Sequence, residues 1–356
     1  MPQKDKAATM KIGGRRIGGR EPAFIIAELS ANHGQKLDIA LKTVRAAAKA
    51  GADAIKIQTY TADTLTIDSK KKYFKINQGT LWDGRTLYDL YKEAYTPWEW
   101  HYKLKNAARD EGLIFFSTPF DKTAVDFLDE LGVAAYKVAS FELTDLPLIK
   151  YIAAKKKPVI MSTGISTLPE IAEAAAACRK AGTGELALLK CTSSYPAPFK
   201  DMNLLTIPDM ARRFKCVAGL SDHSSGISAS AAAVALGAKL IEKHFILDRK
   251  LGGPDAAFSL DTAEFTALVR SVREAEESLG KVTYELSPGA LRSRKFSRSI
   301  FAVKNIGKGE AFTELNIRSI RPSAGLPPKY LPEILGRKAA ADIEEGTPLT
   351  WAHLKK

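Results

Sequence analysis

One pattern recurs along the chain: a short apolar stretch ends in a polar residue, a loop follows, and a segment with helical periodicity comes next. Apolar strands that alternate with amphipathic helices are typical of a parallel sheet covered by helices. The pattern predicts strands at 24–27, 54–58, 113–117, 135–139, 158–162, 186–191, 216–220 and 239–244.

Helices are predicted between these strands, and several of them end in glycine, as helix C-termini prefer. About eight strand-helix units in about 260 residues predict an α/β fold of the (β/α)8 TIM-barrel type. An open doubly wound sheet is the competing fold, but it requires a glycine-rich phosphate loop after an early strand. The glycine pairs at 13–14 and 18–19 precede the first strand and do not meet that requirement. The helical segments are 37–50, 98–111, 123–131, 168–180 and 228–236.

A long excursion, residues 61–96, separates the second strand from the next helix. Long insertions after barrel strands often form lids or substrate loops. A loop packed on its own aromatic residues is the alternative, and the sequence does not decide between them.

The alternation of predicted strands and helices ends after Gly280, which predicts a second domain. We expect a barrel at 21–282, a linker at 283–297 and a small β-rich domain at 298–356. About 60 residues bury little core, so this domain should dock on its own barrel or on a partner subunit. The basic segment 1–20 is expected to be disordered.

The charge balance narrows the range of partners. Fifty-three Lys and Arg against 40 Asp and Glu give a net charge of +13, which favours anionic ligands. The basic residues are scattered and form no recognisable nucleic-acid motif, so no nucleic-acid partner is expected. No apolar run approaches the ~18 residues of a membrane helix, and no secretory signal is present, which predicts a cytoplasmic protein without a membrane partner. Three widely spaced cysteines argue against a disulfide framework.

Candidate chemistry lies at the strand ends. In a barrel the C-terminal strand ends converge on one mouth, where polar residues are functional. Lysines there need an anionic partner such as a substrate carboxylate or phosphate. His223 and His244 end neighbouring strands and could share a divalent metal, with Glu28, water or substrate as further ligands. Glu28 could also act as a base or bind a hydroxyl. The strand-end residues include Glu28, Lys56, Gln58, Thr118, Lys137, Ser140, Glu142, Ser162, Ser193, Tyr195, Ser221, His223, Glu242 and His244.

Eight of these segments together resemble the sialic acid synthase family, and the tail from residue 298 resembles its antifreeze-like (SAF) domain. The segments are 26–33 (IAELSANH), 56–60 (KIQTY), 117–121 (STPFD), 136–142 (YKVASFE), 162–164 (STG), 191–196 (CTSSYP), 219–223 (GLSDH) and 242–245 (EKHF). Residues 81–91 (LWDGRTLYDLY), together with 118–121 and 139–142, are more similar to pseudaminic acid synthases than to N-acetylneuraminate synthases.

The resemblance implies a transferase that condenses phosphoenolpyruvate with 2,4-diacetamido-2,4,6-trideoxy-altrose, releasing phosphate and giving a nine-carbon 2-keto acid. It implies Mn²⁺ or Mg²⁺ on His223 and His244, and it makes Glu28 and Glu142 catalytic candidates. Arg321 matches an arginine that the tail of one subunit delivers to the other, which implies a domain-swapped homodimer. Positions that match substrate contacts are Lys56, Thr118, Lys137, Ser140, Ser162, Ser193 and Ser221 for phosphoenolpyruvate, and Gln58, Tyr195 and Asp255 near the sugar and metal.

Other functions stay open at this point. An N-acetylneuraminate or legionaminate synthase would use the same chemistry on another sugar. A metal-dependent aldolase, or another phosphoenolpyruvate-condensing barrel, would share the histidines and lysines but gives no reason for the tail. An ice-binding or carbohydrate-binding module would explain the tail but not the histidines and lysines.

Overall fold

The computed structural model describes residues 7–355, and the chain divides into two compact units, Met1–Gly280 and Lys281–Lys356. The first unit opens with an antiparallel hairpin of strands β1 (Thr9–Ile12) and β2 (Arg15–Gly18). Eight parallel strands then close into a barrel, each paired with its neighbours along the chain, and β10 closes the ring against β3. The predicted barrel fold is confirmed. The barrel strands are β3 (Phe24–Glu28), β4 (Ala54–Thr59), β5 (Ile114–Pro119), β6 (Tyr136–Val138), β7 (Val159–Ser162), β8 (Leu186–Cys191), β9 (Val217–Asp222) and β10 (Leu240–His244).

Helices follow the strands, and their ends carry local signals. The carboxylate of Asp121 accepts hydrogen bonds from the backbone N–H groups of Thr123 and Ala124 at the start of α5, and Gly132 ends that helix in the left-handed conformation. Within residues 7–355 no helix is long and apolar enough to cross a bilayer. The helices of this unit are α1 (Leu37–Lys49), α2 (Ala62–Leu65), α3 (Leu87–Ala94), α4 (His101–Asp110), α5 (Lys122–Leu131), α6 (Leu146–Ala154), α7 (Leu168–Lys180), α8 (Thr206–Phe214), α9 (Ser228–Ala235) and α10 (Thr262–Leu279).

The expectation of a disordered N-terminal segment at 1–20 is wrong for residues 9–18; residues 1–6 lie outside the described part of the chain. Residues 9–18 form the β1-β2 hairpin, whose two-residue turn is Gly13-Gly14. Met10, Ile12 and Ile17 are buried in the barrel core. Burial of these three apolar side chains offsets the conformational entropy lost when the segment becomes ordered. The segment therefore folds in spite of the basic composition that suggested disorder.

The hairpin covers the end of the barrel opposite the mouth. Arg15 forms an ion pair with Asp53, the residue immediately before β4, and the backbone N–H of Lys11 donates to Glu185, immediately before β8. Asp53 also accepts from the backbone N–H of Ile25 at 2.8 Å and pairs with Arg273 at 3.3 Å. These contacts lie at the N-terminal strand ends, so the C-terminal mouth is left for ligands.

The second unit has its own small core. Helix α11 (Pro288–Arg294) lies inside the segment expected to be a linker. Strand β11 (Ser299–Ala302) pairs antiparallel with β12 (Ile317–Ile320), and α12 (Leu331–Ile334) follows. Isolated bridges join further short extended stretches, as a β-rich tail predicts. The core residues include Ile300, Phe312, Ile317, Ile334, Ile343 and Leu349.

Candidate active site

The strand ends surround one open cavity at the C-terminal mouth of the barrel. Most of the residues predicted for the site line it, because alternate side chains of each strand point inward. The lining consists of Glu28, Lys56, Gln58, Thr118, Phe120, Lys137, Ala139, Ser140, Phe141, Ser162, Cys191, Tyr195, Ser221, His223, Glu242 and His244.

Two lysines and two glutamates form the charged floor of this cavity. Lys56 Nζ lies 2.7 Å from Glu28 Oε2 and 3.7 Å from Glu242 Oε1, and Lys137 Nζ lies 3.9 Å from the same Glu242 oxygen. All four side chains are at most 5% exposed. The charges of the two buried cations and the two buried anions cancel. Binding of an anionic ligand therefore requires additional positive charge in the site.

The pKa values of these groups follow from burial and from their neighbours. Burial disfavours the charge on Lys56, but Glu242 and Glu28 outweigh it and raise the pKa of Lys56. Burial lowers the pKa of Lys137, because Glu242 compensates less fully there. Burial also raises the pKa of Glu28, against the opposing effect of Lys56.

Lys137 and a set of hydroxyl groups make a cradle on the next strands. Lys137 Nζ donates to Ser162 Oγ at 2.7 Å, and the hydroxyls of Ser140 and Ser193 are hydrogen-bonded at 2.8 Å. A Cβ at Gly164 would collide with Ser193 Oγ, so only glycine allows this close approach. An ammonium group beside several hydroxyls suits a phosphate, whose oxygens accept hydrogen bonds.

Lys56 and Ser221 are held in the same way on either side of this cradle. Lys56 Nζ donates to Thr118 Oγ1 at 3.1 Å, and Ser221 Oγ donates to Glu242 Oε1 at 3.2 Å. Gln58 Nε2 donates to Glu28 Oε1 at 3.0 Å. These bonds fix the side-chain rotamers before any ligand arrives, which lowers the entropy cost of binding.

The two imidazoles lie side by side, as their adjacent strands require. The ring centroids of His223 and His244 are 5.3 Å apart. His223 Nδ1 lies 3.1 Å from the carbonyl oxygen of Thr192, and a proton donated there leaves Nε2 as the basic nitrogen. His244 Nδ1 is buried and has no hydrogen-bond partner among residues 7–355, and Asp255 Oδ2 is 3.7 Å away.

These two imidazoles are the side chains that would hold a divalent cation. Burial lowers the pKa of His244 well below its usual value and keeps that ring neutral, as a metal ligand must be. Burial also disfavours the charge on His223, but Cys191 and the Thr192 carbonyl outweigh it and raise the pKa of His223, so this ring must lose its proton when a cation binds. Among residues 7–355 no three His, Cys, Asp or Glu side chains form a metal-binding cluster. The protein would therefore supply two nitrogen ligands and leave the other positions to water or substrate.

Glu142 does not line the cavity but lies next to Phe141, which does. It ends a single 3-10 turn, Ser140–Glu142, directly after β6. Burial raises the pKa of Glu142 to about 7, although Lys137 acts in the opposite direction. Its Oε2 is buried and accepts no hydrogen bond from the described residues. A carboxyl group in this state can exchange protons near neutral pH.

Three further predicted residues do not line the cavity. Ser193 is hydrogen-bonded to Ser140, which lines the cavity. Asp255 lies 3.7 Å from His244, which also lines it. Arg321 belongs to the second unit, where it directly follows β12 and is exposed.

The sequence pattern placed Glu242 at the mouth without a specific role, and it assigned no role to Gly164. Glu242 shares the inner face of β10 with His244, and this two-residue spacing was the available signal. Its position between Lys56 and Lys137 depends on strands that are distant in sequence. The need for glycine at 164 likewise arises from packing against Ser193, which follows the next strand along the chain.

Comparisons with known proteins agree on one family. The NeuB family model matches residues 43–284, and the SAF domain model matches residues 297–355. A pseudaminic acid synthase of Campylobacter jejuni is 51% identical over 340 residues, covering 96% of this chain and 98% of that protein. A pseudaminic acid synthase of Helicobacter pylori is 44% identical over 331 residues, covering 93% and 97%. The crystal structure of an N-acetylneuraminic acid synthetase from Leptospira borgpetersenii has a TM-score of 0.72 and 32% identity, covering 81% of this chain and 95% of that one.

Proposed function

The chain belongs to the NeuB family, and from this premise we propose that it works as a pseudaminic acid synthase. It condenses phosphoenolpyruvate with 2,4-diacetamido-2,4,6-trideoxy-altrose and releases phosphate. One observation carries the proposal: a single cavity joins a cradle of cations and hydroxyls to a pair of imidazoles. A phosphate ester and a carbonyl compound can therefore be held within bonding distance of each other.

Phosphoenolpyruvate occupies the side of the cavity that the lysines form. Its phosphate lies against Lys137, Ser162 and the Ser140-Ser193 pair, whose hydrogen bonds are already in place. Its carboxylate lies against Lys56, which Thr118 holds. Both lysines stay close to Glu242, which keeps the empty site neutral.

The sugar aldehyde occupies the opposite side, near Tyr195 and the imidazoles. The ring of Tyr195 lies 4.5 Å from that of His223, centroid to centroid. Glu28 and Gln58 offer hydrogen-bonding groups to sugar hydroxyls. Phe120 and Phe141 add apolar surface to the lining, which suits a 6-deoxy sugar because its methyl group has no hydroxyl to satisfy.

The reaction forms a carbon-carbon bond and a bond from C2 to a water oxygen, and it breaks the bond from C2 to the phosphate oxygen. C3 of phosphoenolpyruvate attacks the aldehyde carbon, which leaves C2 as an oxocarbenium-like centre. Water adds to C2 and gives up a proton, and the aldehyde oxygen takes up a proton to become a hydroxyl. The tetrahedral intermediate then expels phosphate as its C2 hydroxyl loses a proton, which leaves the 2-keto group. Lys137 and the neighbouring hydroxyls hold the charge of the departing phosphate.

Glu142 is the better candidate for the proton acceptor. Glu28 is ion-paired to Lys56 at 2.7 Å and accepts from Gln58, so both of its oxygens are engaged. Glu142 has a buried oxygen without a partner among the described residues and a pKa of about 7. A base with this pKa is partly ionised at neutral pH and can take the proton of the attacking water.

The proposal includes a divalent cation, Mn²⁺ or Mg²⁺, held by His223 and His244. When bound, such a cation polarises a carbonyl oxygen and stabilises negative charge that develops on it. The neutral His244 ring and the Thr192 carbonyl that orients His223 are the features that support it.

The proposal also includes a domain-swapped homodimer in which Arg321 serves the partner's site. Large apolar side chains at the start of the second unit support a partner subunit, since Val282 and Tyr284 are more than 90% exposed in the single chain. We place the enzyme in the cytoplasm, in keeping with its three free cysteines.

A sugar panel tests the function. Purified protein is given phosphoenolpyruvate, Mn²⁺ and one of three aldehydes: the diacetamido-trideoxy-altrose, the precursor of legionaminate, or N-acetylmannosamine. Phosphate release should be fastest with the first and slight with N-acetylmannosamine. Equal rates on all three sugars would contradict the assignment of the sugar.

A further inference from the structure

A loop after the second barrel strand crosses the mouth of the barrel. We call residues 76–86 the strap. Backbone hydrogen bonds close its base, since the N–H of Ile76 donates to the Arg85 carbonyl and the N–H of Gly84 donates to the Ile76 carbonyl, both at 2.9 Å. The strap belongs to the insertion between β4 and α4, for which the sequence left a lid and a self-packed loop equally open.

Trp82 attaches the strap to residues on the opposite side of the barrel mouth. Its indole Nε1 donates to the carbonyl oxygen of Pro254 at 3.0 Å, and its ring centroid lies 5.6 Å from that of Tyr195. Tyr195 follows β8, the sixth barrel strand, and Pro254 follows β10, the eighth. The second and sixth strands lie opposite each other in a ring of eight, so Trp82 spans the mouth.

The tip of the strap is ordered by one carboxylate. Asp83 accepts hydrogen bonds from the backbone N–H groups of Gln78, Gly79 and Thr80 at 2.9 to 3.1 Å, and from the Thr80 hydroxyl at 2.8 Å. These bonds lower the pKa of Asp83 to about 2, so the carboxylate is ionised at any working pH. Trp82 is therefore presented by a preorganised turn rather than by a loose loop.

The position of Trp82 assigns it to the sugar and not to phosphoenolpyruvate. Tyr195, which it contacts, packs on His223, and Pro254 precedes Asp255, whose carboxylate lies 3.7 Å from His244. Lys137 and Ser162 of the cradle lie on β6 and β7, which make none of these contacts; only Ser193 of the cradle follows β8, two residues before Tyr195. An indole offers a large, stiff apolar face, against which the methyl of an acetamido or 6-deoxy group can pack.

We propose, on the basis of the proposed function, that Trp82 is a specificity-determining residue: its indole packs against an apolar substituent of the incoming acetamido sugar. The Pro254 carbonyl and the turn at Asp83 hold the ring in place. Asp83 acts only through Trp82 and is a positioning residue.

Steady-state phosphate release by the full-length protein tests this, with the concentrations of sugar and phosphoenolpyruvate varied separately. Trp82→Ala should raise the KM for the sugar about tenfold, the scale of one lost apolar contact or more, and leave the KM for phosphoenolpyruvate within about twofold. Trp82→Phe keeps a ring but loses the N–H tether, so it should fall in between. Asp83→Ala should shift the KM for the sugar in the same direction as Trp82→Ala.

Leu81→Ala is the matched control, since Leu81 is the neighbouring strap residue and is 54% exposed. It should change neither KM. An unchanged KM for the sugar in Trp82→Ala overturns the proposal. Equal rises in both KM values, with a lowered melting temperature, also overturn it, because the strap would then only support the mouth.

Failure of the proposed function gives a different result. If wild-type protein ignores the diacetamido-trideoxy-altrose but accepts one of the other two sugars, the sugar assignment fails. The Trp82 variants are then compared on the accepted sugar, with the same outcomes. If no sugar releases phosphate from wild-type protein, both proposals fall.

Discussion

Replacing Glu142 by glutamine separates proton transfer from binding. Burial raises the pKa of this carboxyl from its ordinary 4.5 to about 7, which corresponds to about 3 kcal/mol against the ionised form. A base with this pKa is about one tenth ionised at pH 6 and about nine tenths ionised at pH 8. If ionised Glu142 takes the proton of the attacking water, kcat should rise about tenfold from pH 6 to pH 8.

Glu142→Gln should lower kcat by about a hundredfold or more, and the rise near pH 7 should vanish from what remains. The assay is phosphate release at saturating substrates between pH 5.5 and 9. Glu130→Gln is the control, because Glu130 is an exposed carboxylate on α5, and it should behave as wild type. The proton-acceptor role is refuted if Glu142→Gln keeps kcat within about twofold of wild type, or keeps the same rise near pH 7.

The pH dependence of the melting temperature of Glu142→Gln tests the raised pKa of Glu142 independently of activity. Folded Glu142 binds its proton more tightly than the unfolded chain does, so the wild-type protein loses stability as the pH rises from about 4.5 through 7. Glu142→Gln has no charge to bury. Its melting temperature should therefore exceed that of wild type at pH 8, and the difference should shrink as the pH falls toward 5.

Three other outcomes follow from the site. Gly164→Ala should raise the KM for phosphoenolpyruvate about tenfold, because its Cβ would displace the hydroxyl of Ser193; an unchanged KM would contradict the phosphate cradle. EDTA should abolish phosphate release and added Mn²⁺ should restore it; activity indifferent to chelation would remove the metal. Arg321→Ala should weaken use of the sugar without unfolding the barrel, and mixing it with His244→Ala should restore part of the activity. Absence of that complementation would mean that the tail acts in its own subunit.

The barrel could be predicted because its signal is local. Each strand is a short apolar run. A strand that is buried along its whole length, such as β3 (Phe24–Glu28), is apolar along nearly its whole length, so it is easily recognised in the sequence. The convergence of C-terminal strand ends in a barrel then placed Lys56, Lys137, His223 and His244 at the mouth.

The N-terminal hairpin shows a signal that was present but not used. Apolar residues alternate around Gly13-Gly14 at Met10, Ile12 and Ile17, which is the pattern of a two-residue hairpin. The arginines beside them suggested a solvated segment, and the partners that neutralise or bury them, such as Asp53, are far away in sequence.

The partners of other site residues had no local signal in the sequence. Glu242 lies between two lysines that come from the second and fourth barrel strands. Trp82 is held by a hydrogen bond to the carbonyl oxygen of Pro254, 172 residues further along the chain. Such contacts depend on ring closure, so only the folded chain reveals them.

Reaction in water enriched in ¹⁸O tests the central claim most directly, because the proposed chemistry adds water to C2 and breaks the bond between C2 and oxygen. Phosphoenolpyruvate, the diacetamido-trideoxy-altrose and the wild-type protein are incubated with Mn²⁺, and the products are weighed by mass spectrometry. The account predicts a nine-carbon 2-keto acid and phosphate free of the heavy isotope. Phosphate that carries ¹⁸O, with pyruvate in place of the nine-carbon acid, would contradict it.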